Sequence, residues 1–219
     1  MGARTRAAAN NFTTGGVILP AGINDASVAS ISELQNVATG GAMTLISEQT
    51  ASGSASIEFT TGIDSTYPIY KFEFININPS TDAVEFSFNF STDGGSNYNV
   101  VKTSTFIEIY HGESDLPAGL GYGSSHDLAQ STANQKLTTN QGNLSDESGS
   151  GYLHLFNPSS STYVKHFMSN MSSVYFTEYL QQDMSAGYGN TTSPINAVKF
   201  QMSSGNFDGT IKLYGIKDS

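Results

Sequence analysis

The amino-acid sequence predicts an all-β protein, a two-sheet antiparallel β-sandwich of jelly-roll type that carries an extended N-terminal arm. Two runs of the chain alternate aromatic with polar residues, which is typical of strands with one buried face. Charged residues make up only 13% of the 219 residues and aromatic residues 11%. Ser, Thr, Asn and Gly supply much of the remainder, and such a composition favours a β-rich domain with many turns over a helical enzyme.

The clearest alternation lies between residues 56 and 98. Its apolar positions are Tyr70, Phe72, Phe74, Val84, Phe86, Phe88 and Phe90, and polar residues that include Lys71, Glu73, Ser87 and Asn89 lie between them. A period of two predicts that the apolar set faces the core and the polar set faces solvent. Residues 78–82 supply turn chemistry between the two runs, and residues 93–96, Asp-Gly-Gly-Ser, predict a hairpin after the second run.

From Met43 to the end of the chain, sequence patterns typical of strands recur at regular intervals. The predicted strands are 43–49, 54–60, 68–77, 83–91, 99–110, 151–156, 162–168, 173–180, 195–202 and 209–216. About ten short strands with Gly, Asn and Ser between them fit two sheets packed face to face. Residues 43–219 are therefore predicted to form the sandwich domain.

Residues 1–42 are predicted to form an anchoring arm, because they contain one aromatic residue and no clear strand alternation. A short helix is one interpretation of its second half, where Ser30 and Glu33 resemble a capping box. Such a helix is too short to be stable alone, so the arm is expected to pack on other copies or on a larger particle. The residues predicted to make these contacts are Arg4, Arg6, Val17, Ile18, Leu19, Val28, Ile31, Leu34 and Val37.

Residues 111–150 interrupt the strand pattern, because apolar residues there are too sparse for a strand and too irregular for a long helix. A loop of this length inside a compact domain usually carries function or is ordered by a partner. The alternative interpretation is that residues 111–150 form a mobile surface loop.

Charge and cysteine content exclude several classes of function. The net charge is −10 with nine Lys and Arg residues, which disfavours nucleic acid as a partner because phosphates require clustered basic residues. The sequence has no Cys, so it can form neither disulfides nor thiolate sites. It shows no continuous apolar stretch of membrane-spanning length, so we expect no membrane partner.

No residue of the sequence is assigned a catalytic, cofactor-binding or metal-binding role. Ser125, His126 and Asp127 are consecutive, whereas the members of a catalytic triad converge from separate segments. Carboxylates could still pair in space for glycoside hydrolysis, and the candidates in or beside the long loop are Glu108, Asp115, Asp127, Asp146 and Glu147.

Tyrosines are the more interesting candidates for recognition. The set comprises Tyr110, Tyr122, Tyr152, Tyr175, Tyr179, Tyr188 and Tyr214. An amphipathic ring can cover a sugar or a protein surface, and Tyr110, Tyr122, Tyr152 and Tyr188 are the predicted surface-recognition residues. The alternative is that several of these rings complete the hydrophobic core.

Four segments together resemble a β-sandwich module of small virion surface proteins from tailed bacteriophages, especially phages of marine bacteria. They are TTGIDSTYPIYKFEFININP, STDGGSNYN, SGYLHLFNPSSSTYVKHF and GTIKLYGIK, and the similarity covers about residues 54–217. The resemblance implies a non-enzymatic virion structural protein without a cofactor, assembled in the host cytoplasm. The expected form is a homotrimeric capsid-decoration or head-fibre protein that contacts capsid or tail components through the arm.

Two other functions stay open at this point. The first is a tail-fibre or receptor-binding protein that recognises a host surface glycan. The second is a glycan-active hydrolase, which would need two carboxylates about 5 to 10 Å apart in a groove.

Overall fold

The computed structural model describes residues 12–13, 16–17 and 43–217. Its strands are β1 (Phe12–Thr13), β2 (Gly16–Val17), β3 (Met43–Ser54), β4 (Ser56–Phe59), β5 (Ile69–Pro79), β6 (Phe86–Ser91), β7 (Lys102–Gly112), β8 (Ala118–Tyr122), β9 (Gln135–Lys136), β10 (Gly149–Phe156), β11 (Lys165–Tyr175), β12 (Tyr179–Gly189), β13 (Ala197–Met202) and β14 (Phe207–Ile216). The chain divides into two compact units, Met1–Thr39 and Gly40–Ser219.

The first unit contains one described element, an antiparallel pair of β1 and β2 in which Phe12 is the backbone partner of Val17. Strands were not predicted in this part of the chain. Most of the predicted arm contacts lie outside the described residues, as does the predicted helix. These contacts are Arg4, Arg6, Ile18, Leu19, Val28, Ile31, Leu34 and Val37. Val17 is described by its backbone alone.

The second unit is an antiparallel two-sheet β-sandwich, which confirms the predicted all-β class. The large sheet has eight strands in the order β3-β14-β5-β10-β11-β12-β7-β8, and the small sheet has four in the order β4-β13-β6-β9. The jelly-roll type and the extended arm remain predictions.

An aromatic core joins the two sheets. Phe200 of the small sheet meets Phe72 and Phe74 of the large sheet, with ring centroids 5.0 and 5.1 Å apart in edge-to-face geometry. Such pairs contribute about 0.5–1.5 kcal/mol beyond the area they bury. The predicted inward positions are confirmed, because Tyr70, Phe72, Phe74, Phe86, Phe88 and Phe90 are each fully buried.

The predicted hairpin at residues 93–96 is wrong, and the two aromatic runs lie in different sheets. β5 belongs to the large sheet and β6 to the small one, so the chain crosses between sheets after Pro79. Gly94 and Gly95 do have positive φ values of 72° and 93°, but the turn leads from the small sheet back to the large one and forms no hairpin. Local turn chemistry specifies a change of direction and leaves the next partner strand open.

The predicted solvent-facing side of β6 is also wrong, because Ser87 and Asn89 are buried. Nζ of Lys102 donates to Oδ1 of Asn89 at 2.6 Å, and Nδ2 of Asn89 donates to the carbonyl oxygen of Thr132 at 3.0 Å. The second face of this strand is therefore covered by polar side chains that satisfy one another.

The predicted strand 173–180 is wrong, since a turn interrupts it. β11 ends at Tyr175 and β12 begins at Tyr179, with Glu178 in the left-handed region at φ 62°. The sequence analysis missed most of β12 because its inward residues, Gln181, Asp183 and Ser185, are polar and carry no core signal.

The predicted loop 111–150 is largely part of the folded domain. It contains β8 and β9, which its sparse apolar residues did not indicate. Gln135, Leu137, Thr138 and Gln141 are fully buried against the sandwich. The domain itself therefore orders segment 123–147, and neither a partner nor a mobile excursion is needed to explain it.

Candidate functional site

The outward side of β10, β11, β12, β7 and β8 forms a surface that we name the uncharged face. Cross-strand pairing places its residues side by side, as in the row Tyr152, Asn170, Met184, Ile107 and Tyr122. Its residues are Ser150, Tyr152, His154, Phe156, His166, Met168, Asn170, Ser172, Val174, Leu180, Gln182, Met184, Ala186, Tyr188, Thr103, Thr105, Ile107, Ile109, His111, Ala118, Leu120 and Tyr122. None of these positions on the described strands holds Asp, Glu, Lys or Arg.

Large apolar side chains of the uncharged face are open to solvent. Leu120 is 72% exposed, Met168 54% and Leu180 53%. Exposed apolar patches of this extent mark interaction surfaces on soluble proteins. The outward side of β3, β14 and β5 differs, because it carries the ion pairs Lys71–Glu73 at 2.7 Å and Lys212–Glu48 at 3.2 Å.

The inward side of β11, β12 and β7 is largely polar, the reverse of an ordinary sandwich strand. Ser104, Ser169, Ser173, Gln181, Asp183 and Ser185 all face inward and are buried. Segment 123–147 covers them with matching polar groups: Thr139 donates its backbone N–H to Oδ2 of Asp183 at 2.8 Å, and Ser104 bonds to Gln135. Ser169 and Ser185 bond to each other at 2.6 Å, whereas Oγ of Ser173 has no hydrogen-bond partner among the described residues. Buried polar groups are tolerated when they are hydrogen-bonded, as most of this set are.

One end of this inward side opens into a concavity of about 260 Å³, which we name the tyrosine pocket. It is lined by Glu108, Tyr110, Pro117, His126, Thr139, Asn140, Tyr175, Tyr179 and Gln181. The antiparallel register creates it, because Tyr110 of β7 lies opposite Gln181 of β12, and Tyr175 of β11 lies opposite Tyr179.

The three tyrosine rings of the pocket form one aromatic wall. Tyr175 and Tyr179 stack with centroids 4.7 Å apart and planes 12° apart, and Tyr110 lies 6.3 Å from Tyr179. Nδ2 of Asn140 donates to the hydroxyl of Tyr175 at 3.3 Å. Gly119 leaves room for Tyr110, since a Cβ at position 119 would lie only 2.7 Å from Cζ of that ring.

The charged groups of the pocket are a carboxylate and an imidazole in contact. Nδ1 of His126 lies 2.8 Å from Oε1 of Glu108. Burial and the nearby Lys136 lower the pKa of His126, against the opposing effect of Glu108. At neutral pH the imidazole is therefore mostly neutral, and Glu108 is the carboxylate of the pocket wall.

Asp183 lies beside Glu108 in the neighbouring strand, at the directly paired position. It is only 1% exposed and does not line the pocket. Burial raises the pKa of Asp183 to about 7, although hydrogen bonds from Gln181 and Thr139 favour its charged form. A carboxyl group in this position supports the pocket wall and cannot contact a ligand in the pocket.

The structure separates the four tyrosines predicted for recognition. Tyr110 lines the tyrosine pocket, whereas Tyr122, Tyr152 and Tyr188 lie on the uncharged face, on the opposite side of the sheet. Tyr175 and Tyr179 belonged to the wider predicted set. Glu108 was a candidate for hydrolysis alone, and the sequence analysis missed Asn140 and Gln181, because polar residues on strands carry no distinctive signal.

The five carboxylates considered for glycoside hydrolysis do not share one site. Glu108 lines the tyrosine pocket, whereas Asp146 and Glu147 line a separate concavity together with Glu113 and Glu178. Oε2 of Glu147 accepts from the backbone N–H of Leu144 at 2.8 Å, Asp127 accepts from the hydroxyl of Tyr122 at 2.6 Å, and Asp115 is an exposed contact of His111. His126 contacts Glu108 while Asp127 binds Tyr122, so residues 125–127 form no relay.

The tyrosine pocket thus has Glu108 as its one carboxylate. Among the described residues, no group of three or more His, Asp or Glu side chains is arranged to hold a metal ion. Within the same part of the chain, no helix is long and apolar enough to cross a membrane.

Comparison with known proteins gave no match to any family model, curated protein sequence or solved structure. Function is therefore inferred from the two surfaces described above.

Proposed function

We propose that this protein is a non-enzymatic structural protein that associates with copies of itself through the uncharged face and decorates a bacteriophage virion as a homotrimer. The observation that supports self-association is the surface on five neighbouring strands that exposes large apolar side chains and carries no Asp, Glu, Lys or Arg at the described positions. The sequence resemblance supports the virion role, as a capsid-decoration or head-fibre protein that residues 1–42 attach to capsid or tail components.

A second copy of the chain is the partner that this surface fits best. The protein carries a net charge of −10, so most pairs of its surfaces would repel one another. Two uncharged faces can approach without that cost and bury their exposed Leu, Met and Ile side chains. The residue set of the face also falls in the range of about 20–30 residues that each partner contributes to a stable interface.

Self-association is tested by sedimentation of the whole chain and of two matched variants. Ile107 in the uncharged face and Ile75 on β5 are 39% and 38% exposed, on the same side of the same sheet. Ile107→Lys should convert the trimer to monomer, because a charge buried in an apolar interface is strongly unfavourable. Ile75→Lys should leave the mass unchanged. A monomeric wild-type chain at micromolar concentration, or equal behaviour of the two variants, would contradict the proposal.

The virion role is tested by removing residues 1–42. The truncated chain should keep its β-sandwich, measured by circular dichroism and thermal unfolding, but fail to enter particles, measured by immunoblot of purified virions. Normal incorporation of the truncated chain would show that the arm is not the anchor. Absence of the full-length protein from particles would reject the virion assignment itself.

Recognition of a host surface glycan, as in a tail-fibre or receptor-binding protein, is the second candidate function. The observation that favours it is the tyrosine pocket, which combines aromatic rings with amide and carboxylate groups. Hydrolysis of a glycan receives no such support, because the pocket wall presents a single carboxylate and Asp183 is buried behind it.

A further inference from the structure

We propose that the tyrosine pocket binds one neutral sugar unit of a glycan, with the tyrosine rings against the apolar face of the sugar and Glu108, Gln181 and Asn140 at its hydroxyl groups. This inference rests on glycan recognition, the second candidate function, and is independent of the self-association proposed above. Four features of the pocket support the proposal: its volume, its aromatic wall, its polar groups and its orientation.

The volume of the pocket limits the ligand to a single ring. Pockets for drug-sized ligands measure about 300–1,000 Å³, whereas this one measures about 260 Å³. One sugar ring fits, and the rest of a glycan chain would extend into solvent.

The aromatic wall supplies the apolar half of such a site. The rings of Tyr110, Tyr175 and Tyr179 are all partly exposed and belong to three adjacent strands, so they are held by the sheet. One face of a pyranose carries mainly C–H groups, and these pack on the face of an aromatic ring. Tyrosine is well suited to this role because its ring is apolar while its hydroxyl stays hydrogen-bonded at the edge.

The polar groups of the pocket can form hydrogen bonds with sugar hydroxyls, and they restrict the charge that a ligand can carry. A carboxylate accepts hydrogen bonds from hydroxyl groups, and the amides of Asn140 and Gln181 can both donate and accept. The pocket wall contains the carboxyl group of Glu108 and, among the described residues, no Lys or Arg. An acidic sugar or a phosphate would therefore be repelled, which leaves a neutral sugar.

The orientation of the pocket keeps it open in the proposed assembly. Tyr110 and Gln181 point to the inward side of β7 and β12, while their neighbours Ile109 and Leu180 point to the uncharged face. Association through the uncharged face leaves the pocket uncovered by that contact. Several identical pockets on one assembly would then raise the avidity for a repetitive glycan.

The test uses saturation-transfer NMR on the whole chain with methyl glycosides of glucose, galactose, mannose and N-acetylglucosamine. At least one glycoside should show saturation transfer from the protein at a glycoside concentration of about 50 mM, which is high enough to detect millimolar binding. Tyr110→Ala and the isosteric Glu108→Gln should each weaken binding at least about tenfold. Tyr163→Ala, which changes an exposed tyrosine just before β11 that lies outside both surfaces, should bind like the wild type.

Three outcomes would overturn the inference. They are no transfer from any of the four glycosides, unchanged affinity in folded Glu108→Gln, and equal or stronger binding of glucuronic acid. Sedimentation of the same samples separates this result from the self-association proposal, since Glu108→Gln should keep the wild-type mass.

Discussion

The two halves of the large sheet have opposite polarity. In β14 and β5 the inward side is apolar, with Phe72 and Leu213 fully buried, and the outward side carries ion pairs such as Lys71–Glu73. In β11, β12 and β7 the inward side holds buried Asp183 and several serines, and the outward side is the uncharged face. One sheet thus turns its apolar side to the core at one end and to the exterior at the other.

The difference shows that the covering layer decides the polarity of a strand face. The phenylalanine-rich small sheet covers β14 and β5, which requires apolar residues there. Segment 123–147 covers β12 and β7 with polar groups such as Gln135 and Thr139, which requires hydrogen-bonding partners. In β11 the inward Phe167 still packs on Phe88 and Phe90 of the small sheet. Once the inward positions are polar, the apolar alternate positions face outward, where a second copy can bury them.

The largest change in stability is expected in the apolar half of the core. Phe200→Ala removes a fully buried ring that contacts Phe72 and Phe74, and should lower the free energy of unfolding by about 3–5 kcal/mol. The control is Leu180→Ala in the uncharged face, which is 53% exposed and should cost under about 0.5 kcal/mol in dilute protein. The free energy of unfolding of both variants is measured by urea unfolding. Equal losses in the two variants would contradict the expectation that the apolar core contributes more to stability than the uncharged face.

A pH-dependent change is expected from Asp183 in the polar half. Burial raises its pKa to about 7 from an ordinary 3.8, so its contribution to stability is full below about pH 4 and lost as pH rises through 7. The loss amounts to about 2–4 kcal/mol. Asp183→Asn should flatten this part of the stability profile, measured by urea unfolding between pH 4 and 8.

Lys102 provides an internal control for that profile. Burial lowers its pKa to about 7 from 10.5, so its contribution is full above about pH 10.5 and lost as pH falls through 7. Asp183→Asn should therefore leave the slope above pH 7 intact. A variant profile parallel to that of the wild type between pH 4 and 7 would show that Asp183 does not titrate in this range.

The smallest change is expected on the charged outward side. Glu73→Gln removes the ion pair with Lys71, and should lower the free energy of unfolding by about 0.2–1 kcal/mol, since both partners are partly solvent-exposed. The loss should shrink at high salt, because salt screens the attraction. Thermal unfolding of the wild type and the variant at low and high salt measures this loss of stability. A loss that does not depend on salt would show that Glu73 stabilises the fold by packing and not by its charge.

Only part of the candidate site could be predicted from the sequence. Tyr110, Tyr175 and Tyr179 were among the predicted tyrosines, because aromatic residues in a polar chain draw attention by type alone. Glu108 and Gln181 are distant in sequence and meet only through the register of β7 on β12. No local pattern encodes that register, so the pocket could not be assembled from the sequence.

The all-β class, the inward orientation of Phe86, Phe88 and Phe90, and the turn at Gly94 and Gly95 follow from local sequence, because alternation and backbone freedom act over neighbouring residues. Three-dimensional packing sets which sheet each strand joins, which face of β12 lies inward, and what covers that face. These outcomes depend on contacts between residues far apart in the chain. A polar inward face resembles a solvent-facing one in sequence, and it differs only in the partner that satisfies its hydrogen bonds.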